Sequence, residues 1–221
     1  MTASISKSYY IKTLVLGTLG IWLLFALNEV LGLIVGIPVS IYLLFVYLSF
    51  HREMWSSIQD EYARTSPAKA AWFLLIPLFN LYWCFVVYPG FVRDYERYIK
   101  RHDLDGRKLP YRVFYGYAVI SVAGFAVDAF GIIMSILLIL SLILARGLSI
   151  NIFTYLEGYE YLGDIGIVGI VSFFLIRYII VIFDWILFII VILRVCDAVN
   201  AITSAQTSQE PMTAQLNGKG G

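Results

Sequence analysis

The feature that most constrains this chain is a series of apolar runs too long for the interior of a soluble domain. They cover Thr13–Leu27, Val30–Phe50, Ala68–Val92, Val113–Ala145 and Ile165–Val195. A run of roughly 20 apolar residues is what an α-helix needs to cross hydrocarbon, and runs of about 10–14 are typical of buried soluble helices. Sixty per cent of the 221 residues are hydrophobic and 14% are charged, against about a quarter charged in soluble domains. Lipid is the solvent that suits such a chain. The expected fold class is therefore all-α, an integral membrane helical bundle. Nothing outside the apolar runs could bury a core of its own, so residues 1–202 read as one membrane domain. The polar stretch 203–221, rich in Ser, Thr, Gln and Gly, reads as a disordered tail.

The first run follows Lys7 and Lys12, as in a secretory leader. The residues after it, Phe25-Ala26-Leu27-Asn28-Glu29, offer no small-x-small cleavage site, and a second run begins at once. An uncleaved first helix is expected. Spans are expected at about 10–27, 30–50, 113–145 and 165–195. As helices the last two runs would measure roughly 50 and 46 Å, more than the hydrocarbon thickness of about 30 Å, so each must tilt, kink or protrude.

The run at 68–92 differs from the others. It is interrupted by Pro77 and Asn80 and is dense in aromatic residues, among them Trp72 and Trp83. Indole and phenol rings favour the headgroup boundary. If this run crossed the bilayer with the N-terminus inside, six Lys/Arg would lie inside and nine outside. If it dips in and returns, fourteen lie inside and only Arg146 outside, with Arg177 set within the membrane. The second arrangement satisfies the positive-inside rule. The expected architecture is four transmembrane helices plus a re-entrant or interfacial aromatic helical hairpin, with both termini cytoplasmic in a cell (inner) membrane. An acidic, tyrosine-bearing loop from Tyr155 to Asp164 then falls outside.

A basic cytoplasmic segment, 93–112, carries Arg93, Arg97, Lys100, Arg101, Arg107 and Lys108. Helical spacing sets Phe91, Tyr95, Tyr98, Ile99 and His102 on one side and the cations on the rest. The cations could meet anionic lipid headgroups or an acidic partner. Asp103-Leu104-Asp105-Gly106 has the start of a calcium loop, but its twelfth position is Phe114 rather than a glutamate, so a turn is expected.

Three charges fall well inside the last two runs. Asp128 lies near the middle of its run; Arg177 and Asp184 lie on either side of the middle of theirs. Seven residues apart, Arg177 and Asp184 share a helix face. On antiparallel neighbours Asp128 falls between them in depth, and an unpaired charge there costs several kcal/mol. The expectation is an Asp128–Arg177 ion pair, with Asp184 as a second acceptor or a protonated spare. Close helix packing is expected at Gly32, Gly36 and Ser40, and at Gly116, Ser121 and Gly124.

No cofactor or metal is expected. Cys84 and Cys196 lack ligand spacing, and His51 and His102 stand alone. The near-neutral net charge of +1 argues against nucleic acid.

The stretch Trp72-Phe-Leu-Leu-Ile-Pro-Leu-Phe-Asn-Leu-Tyr-Trp83-Cys-Phe85, with Gly90 and Arg93-Asp94-Tyr95 after it, resembles a W-x3-IP-x-FN-x-YW-x-F segment of uncharacterised bacterial multi-pass membrane proteins. Cys196-Asp-Ala-Val-Asn200 resembles their cytoplasmic end. The likeness covers about a quarter of the chain. Some of those proteins carry a small soluble domain before the segment, where this chain has two hydrophobic runs. The resemblance implies architecture and no activity.

The function expected is that of a non-enzymatic anchor, scaffold or sensor subunit of a membrane complex, homo-oligomeric or joined to other subunits. The alternative is a small oligomeric ion or proton channel or transporter built on Asp128, Arg177 and Asp184.

Overall fold

Asn28 joins the first two helices by itself. In the computed structural model, which describes residues 5–147 and 160–217, α1 (Lys7–Leu27) ends where the Asn28 N–H donates to the Leu24 carbonyl at 2.9 Å. The Asn28 side chain then accepts from the Leu31 N–H at 3.0 Å and caps α2 (Glu29–Ser56). One extended residue thus satisfies orphan groups at both helix ends. The returning helix packs closely because Gly32 and Gly36 receive Phe25. A Cβ at Gly32 would stand 2.9 Å from the Phe25 Cα, and one at Gly36 would meet the same ring at 3.3 Å.

After the loop 57–66, Ser66 caps α3 (Pro67–Trp72), whose proline sits in the first turn where no N–H is needed. A 3₁₀ turn (Phe73–Leu75) and the extended residue Ile76 lead into α4 (Pro77–Arg101), again begun by proline. After the break at Ile76, the aromatic run and the basic segment as far as Arg101 are therefore one helix. Its C-terminus is closed by Asp103 in the left-handed region (φ 49°), with the Leu104 N–H donating to the Ile99 carbonyl at 2.9 Å. That is a Schellman closure with aspartate where glycine is usual, and it forms the turn expected at 103–106. Then come α5 (Tyr111–Gly147) and α6 (Glu160–Asn217).

Among the described residues 87% are helical and none is in a strand. Among the described residues, four helices are long and apolar enough to cross a membrane, at Lys7–Leu27, Glu29–Ser56, Tyr111–Leu137 and Val171–Ser208. The aromatic segment is not among them. Residues 148–159, which include half of the acidic loop, lie outside the described residues, as does Lys219, and the side chains of Arg146 and Asp164 are likewise not described.

The stretch beginning at Thr203, expected to be disordered, instead continues α6 to Asn217. Ile202 is fully buried, the Gln206 amide donates to the Tyr98 hydroxyl at 3.0 Å, and Thr203, Ser204, Thr207 and Ser208 each return a hydroxyl to the carbonyl four residues back. Polar composition alone did not reveal that neighbouring helices hold this turn.

The chain divides into two compact units: Met1–Ala118 with Leu187–Gly221, and Val119–Ile186. The first contains the buried core, including Phe50, Trp55, Tyr88, Phe91, Tyr95, Phe114 and Ile192. The second is an antiparallel pair formed by the long parts of α5 and α6.

Candidate functional site

Within the first unit, five helices meet in an aromatic layer around His51. The ring is fully buried. Its Nδ1 lies 2.7 Å from the Tyr47 carbonyl, which can only accept, so Nδ1 carries the proton. That leaves Nε2 to accept from the Tyr88 hydroxyl at 2.7 Å, and Tyr88 in turn accepts from the Tyr47 hydroxyl at 2.8 Å. These bonds run from the Tyr47 hydroxyl back to the Tyr47 carbonyl. Phe188 of α6 stacks parallel to the imidazole at 6.5 Å, and Tyr117 of α5 meets Tyr88 edge-on at 4.6 Å. Tyr10 of α1 reaches the layer through Phe50 at 5.3 Å. Edge and offset ring contacts of this kind add about 0.5–1.5 kcal/mol beyond burial.

Polar contacts at one end of this unit join the chain's distant parts. Asp197 pairs with Lys7 and with Arg107, the latter at 3.3 Å. Asn200 exchanges two hydrogen bonds with the Ile5 backbone, at 3.0 and 3.2 Å. Buried Asp94 accepts from the Arg64 N–H and its guanidinium, both at 3.2 Å. Asp60 accepts from Arg101 Nε at 3.0 Å. Partial desolvation opposes ionisation of Asp60, but bonds from Arg101 and from the Tyr62 N–H outweigh it and hold the carboxyl below its ordinary value.

The Arg64–Asp94 contact fixes the path of the aromatic segment, because its two flanks touch. Tyr88 meets Tyr47 and His51, and Phe91 meets Trp55, so α4 runs beside the C-terminal part of α2 in the same direction. Pro77 lies eleven residues before Tyr88, about 16 Å back along that axis. The four residues expected to mark the motif divide between two surroundings. Trp83 is buried with Phe73 and Phe79 against it, whereas Trp72 is exposed. Pro77 starts the helix, and the Asn80 side chain accepts from the Cys84 thiol at 3.1 Å. Around the break, Trp72, Leu75, Ile76, Leu78, Phe79 and Tyr82 all remain exposed.

Much of the basic patch is engaged internally. Arg101 and Arg107 hold Asp60 and Asp197, Arg97 lies 3.7 Å from Asp94, and Arg93 donates to the Tyr111 hydroxyl at 2.8 Å. Lys100 and Lys108 are exposed and have no ion pair among the described residues. Phe91, Tyr95 and Tyr98 form the buried side of the helix, while His102 is exposed.

In the second unit the polar residues form a seam. Arg177 meets Asp128 through both Nε and Nη2, the latter at 3.1 Å. Asp184 accepts from the Ser121 hydroxyl at 2.6 Å. Gly124 faces Ile180, and a Cβ at Gly131 would stand 2.9 Å from the tip of the Phe173 ring. Positions 121, 124, 128 and 131 are spaced three, four, three, as one face of a helix requires. Of the remaining packing positions, Ser40 is exposed and Gly116 has open space where a Cβ would sit.

The sequence reading missed His51, Tyr47, Tyr88, Asp94, Asp60 and Asp197. A usable signal existed for the first two, since Tyr47 and His51 are four apart at the end of an apolar run. Among the described residues, no group of His, Cys, Asp or Glu is gathered closely enough to hold a metal ion.

Among the described residues, fold and site together define an all-helical architecture with four helices long and apolar enough to cross a membrane and two polar clusters. Compared with known proteins, it matches no family model, no curated protein and no solved structure.

Proposed function

We propose that this chain is a non-enzymatic, multi-pass membrane subunit that anchors or scaffolds a membrane complex. The observation that carries this reading is the internal use of its polar groups. Within the apolar helices, Asp128 bonds to Arg177, Asp184 to Ser121, and His51 to Tyr88 and Tyr47. A transport path would instead present such groups to water in succession. Contacts of this kind fix helix register.

In the arrangement we favour, four helices cross the inner membrane and the 67–92 segment re-enters from the cytoplasmic side. Contact between Arg64 and Asp94 supports re-entry, as does the exposed apolar tip at Leu78. With the His51 layer at the membrane boundary, a 16 Å reach takes Pro77 to about the middle of a 30 Å core. Lys7 and Arg107 share Asp197, which supports a common cytoplasmic side for the N-terminus, the basic segment and the end of α6. Lys100 and Lys108 are among the exposed cations available there for anionic headgroups.

Affinity capture of the full chain from native membranes, with mass spectrometry of what accompanies it, tests the reading. A stoichiometric partner or a defined oligomer is expected. A second reading, a channel or transporter, is favoured by one observation: Arg177 and Asp128 keep 33% and 44% of their side-chain surface open. Proton or ion flux in liposomes that disappears in Asp184→Asn would replace the scaffold reading with that one.

A further inference from the structure

We propose that the second unit associates with a second copy of this chain along the open edge of its polar seam, Arg177 of each copy donating to Asp128 of the other. The inference rests on the membrane reading above and names the partner it requires.

Two helices can cover a seam from each other's side only, and its flanks stay open. No described side chain of Val119–Ile186 is buried, even with the whole chain present. An ion pair left a third or more open is unremarkable in water. In hydrocarbon it faces tails that offer neither donors nor acceptors, so protein or water must complete it. No described residue outside the pair completes it.

The unused valences point to the occupant. Arg177 has five N–H donors and spends two on Asp128, through Nε and Nη2. Three remain without a partner among the described residues. Each Asp128 oxygen accepts once and has a further lone pair. The exposed surface therefore carries both signs at one depth and is complementary to itself. A twofold axis through it lets each copy's spare donors meet the other's spare acceptors, the self-matching contact that a cyclic dimer requires. Asp184 does not contribute in this way, because Ser121 already bonds it within the hairpin. A different partner would need its own intramembrane acid and base at matching depth, whereas a second copy supplies both.

The test uses full-length chains with two different tags, coexpressed and extracted together. Wild-type copies should capture each other. The exchange variant Asp128→Arg/Arg177→Asp preserves the ion pair within each hairpin, so it should capture its own kind. Mixed with wild type it sets cation against cation and acid against acid across the axis, and mixed capture should fall roughly tenfold. Monomeric wild type, or mixed capture equal to like capture, overturns the proposal. A monomer that retains a stoichiometric foreign partner overturns self-association but leaves the scaffold reading standing.

A second measurement covers the case in which the exchange variant does not insert. Phe125→Cys and Val127→Cys lie on opposite flanks of the seam by helical spacing. One of the two should give an oxidised dimer in intact membranes, with little background from the buried Cys84 and Cys196. Cross-linking at neither overturns the proposal.

Discussion

The two units solve the same problem, polar groups among apolar helices, in opposite ways. Around His51 the groups carry no ion pair among the described residues; the imidazole and the Tyr88 ring are fully buried, Tyr47 is half-buried, and rings from five helices surround them. Around Arg177 they are charged, held by two helices and left partly open. A hydrogen-bonded imidazole and two phenols can be sealed within one chain, because each bond satisfies its partner and no net charge is buried. A guanidinium–carboxylate pair has more donors and acceptors than one neighbour can meet. The first arrangement needs nothing further to be complete, and the second calls for a partner.

The contrast can be broken most strongly at Asp128. Replacing it by leucine leaves the Arg177 charge without its acceptor in an apolar hairpin, a loss of about 3 kcal/mol on insertion scales. Yield of the full chain in membranes and thermal stability in detergent should both drop. Adding Arg177→Leu should restore hairpin stability but not self-association, which would separate the two roles of the pair.

The next effect falls on the sealed layer. His51→Leu removes the acceptor for a buried phenol and should cost about 2 kcal/mol, seen as a lower melting temperature in detergent without change in oligomeric state. An altered oligomeric state here, with stability intact, would mean that the layer serves assembly and that the contrast is drawn wrongly.

Glycines sharpen the comparison at a smaller scale. Gly32→Leu drives a side chain into the Phe25 backbone, which cannot move aside, and should cost on the order of 1–2 kcal/mol. Gly131→Ala meets only the tip of the Phe173 ring, free to swing on an open hairpin, and should be close to neutral. Equal effects in thermal melts would argue that the second unit is as tightly enclosed as the first.

The smallest effect concerns the Asp60–Arg101 contact that holds the 57–66 loop. The folded carboxyl titrates below its ordinary value, so its contribution is full above about pH 4 and is lost as pH falls through the lowered folded value. A dye on Glu61→Cys should report loop release in acid, and Asp60→Asn should show the released signal already at neutral pH.

Much of this organisation was legible from residue order because helices long and apolar enough to cross a membrane announce themselves by length and sparse charge. Apolar runs located the helices. The seven-residue spacing of Arg177 and Asp184, set against the depth of Asp128, was enough to anticipate the ion pair. Asp184 was legible only as a charge: the same spacing made it a second acceptor for Arg177, and its contact with Ser121 needed the register of two helices to within one turn. The His51 layer was less visible still. Its partners lie 37 and 137 residues away, on helices whose rotation is set by packing rather than by any spacing rule. A tyrosine in an aromatic segment gives no sign of which histidine it will meet. The helical continuation past Thr203 was hidden for a related reason, since Gln206 gains its place from Tyr98.

The sidedness of the aromatic hairpin tests the account most directly. Single cysteines replacing Tyr62 and Asp105, both exposed and on either side of the 67–101 stretch, can be labelled with an impermeant maleimide in right-side-out and inverted vesicles. The account predicts that both react in inverted vesicles and neither in right-side-out ones. Reaction of the two positions from opposite faces would contradict it.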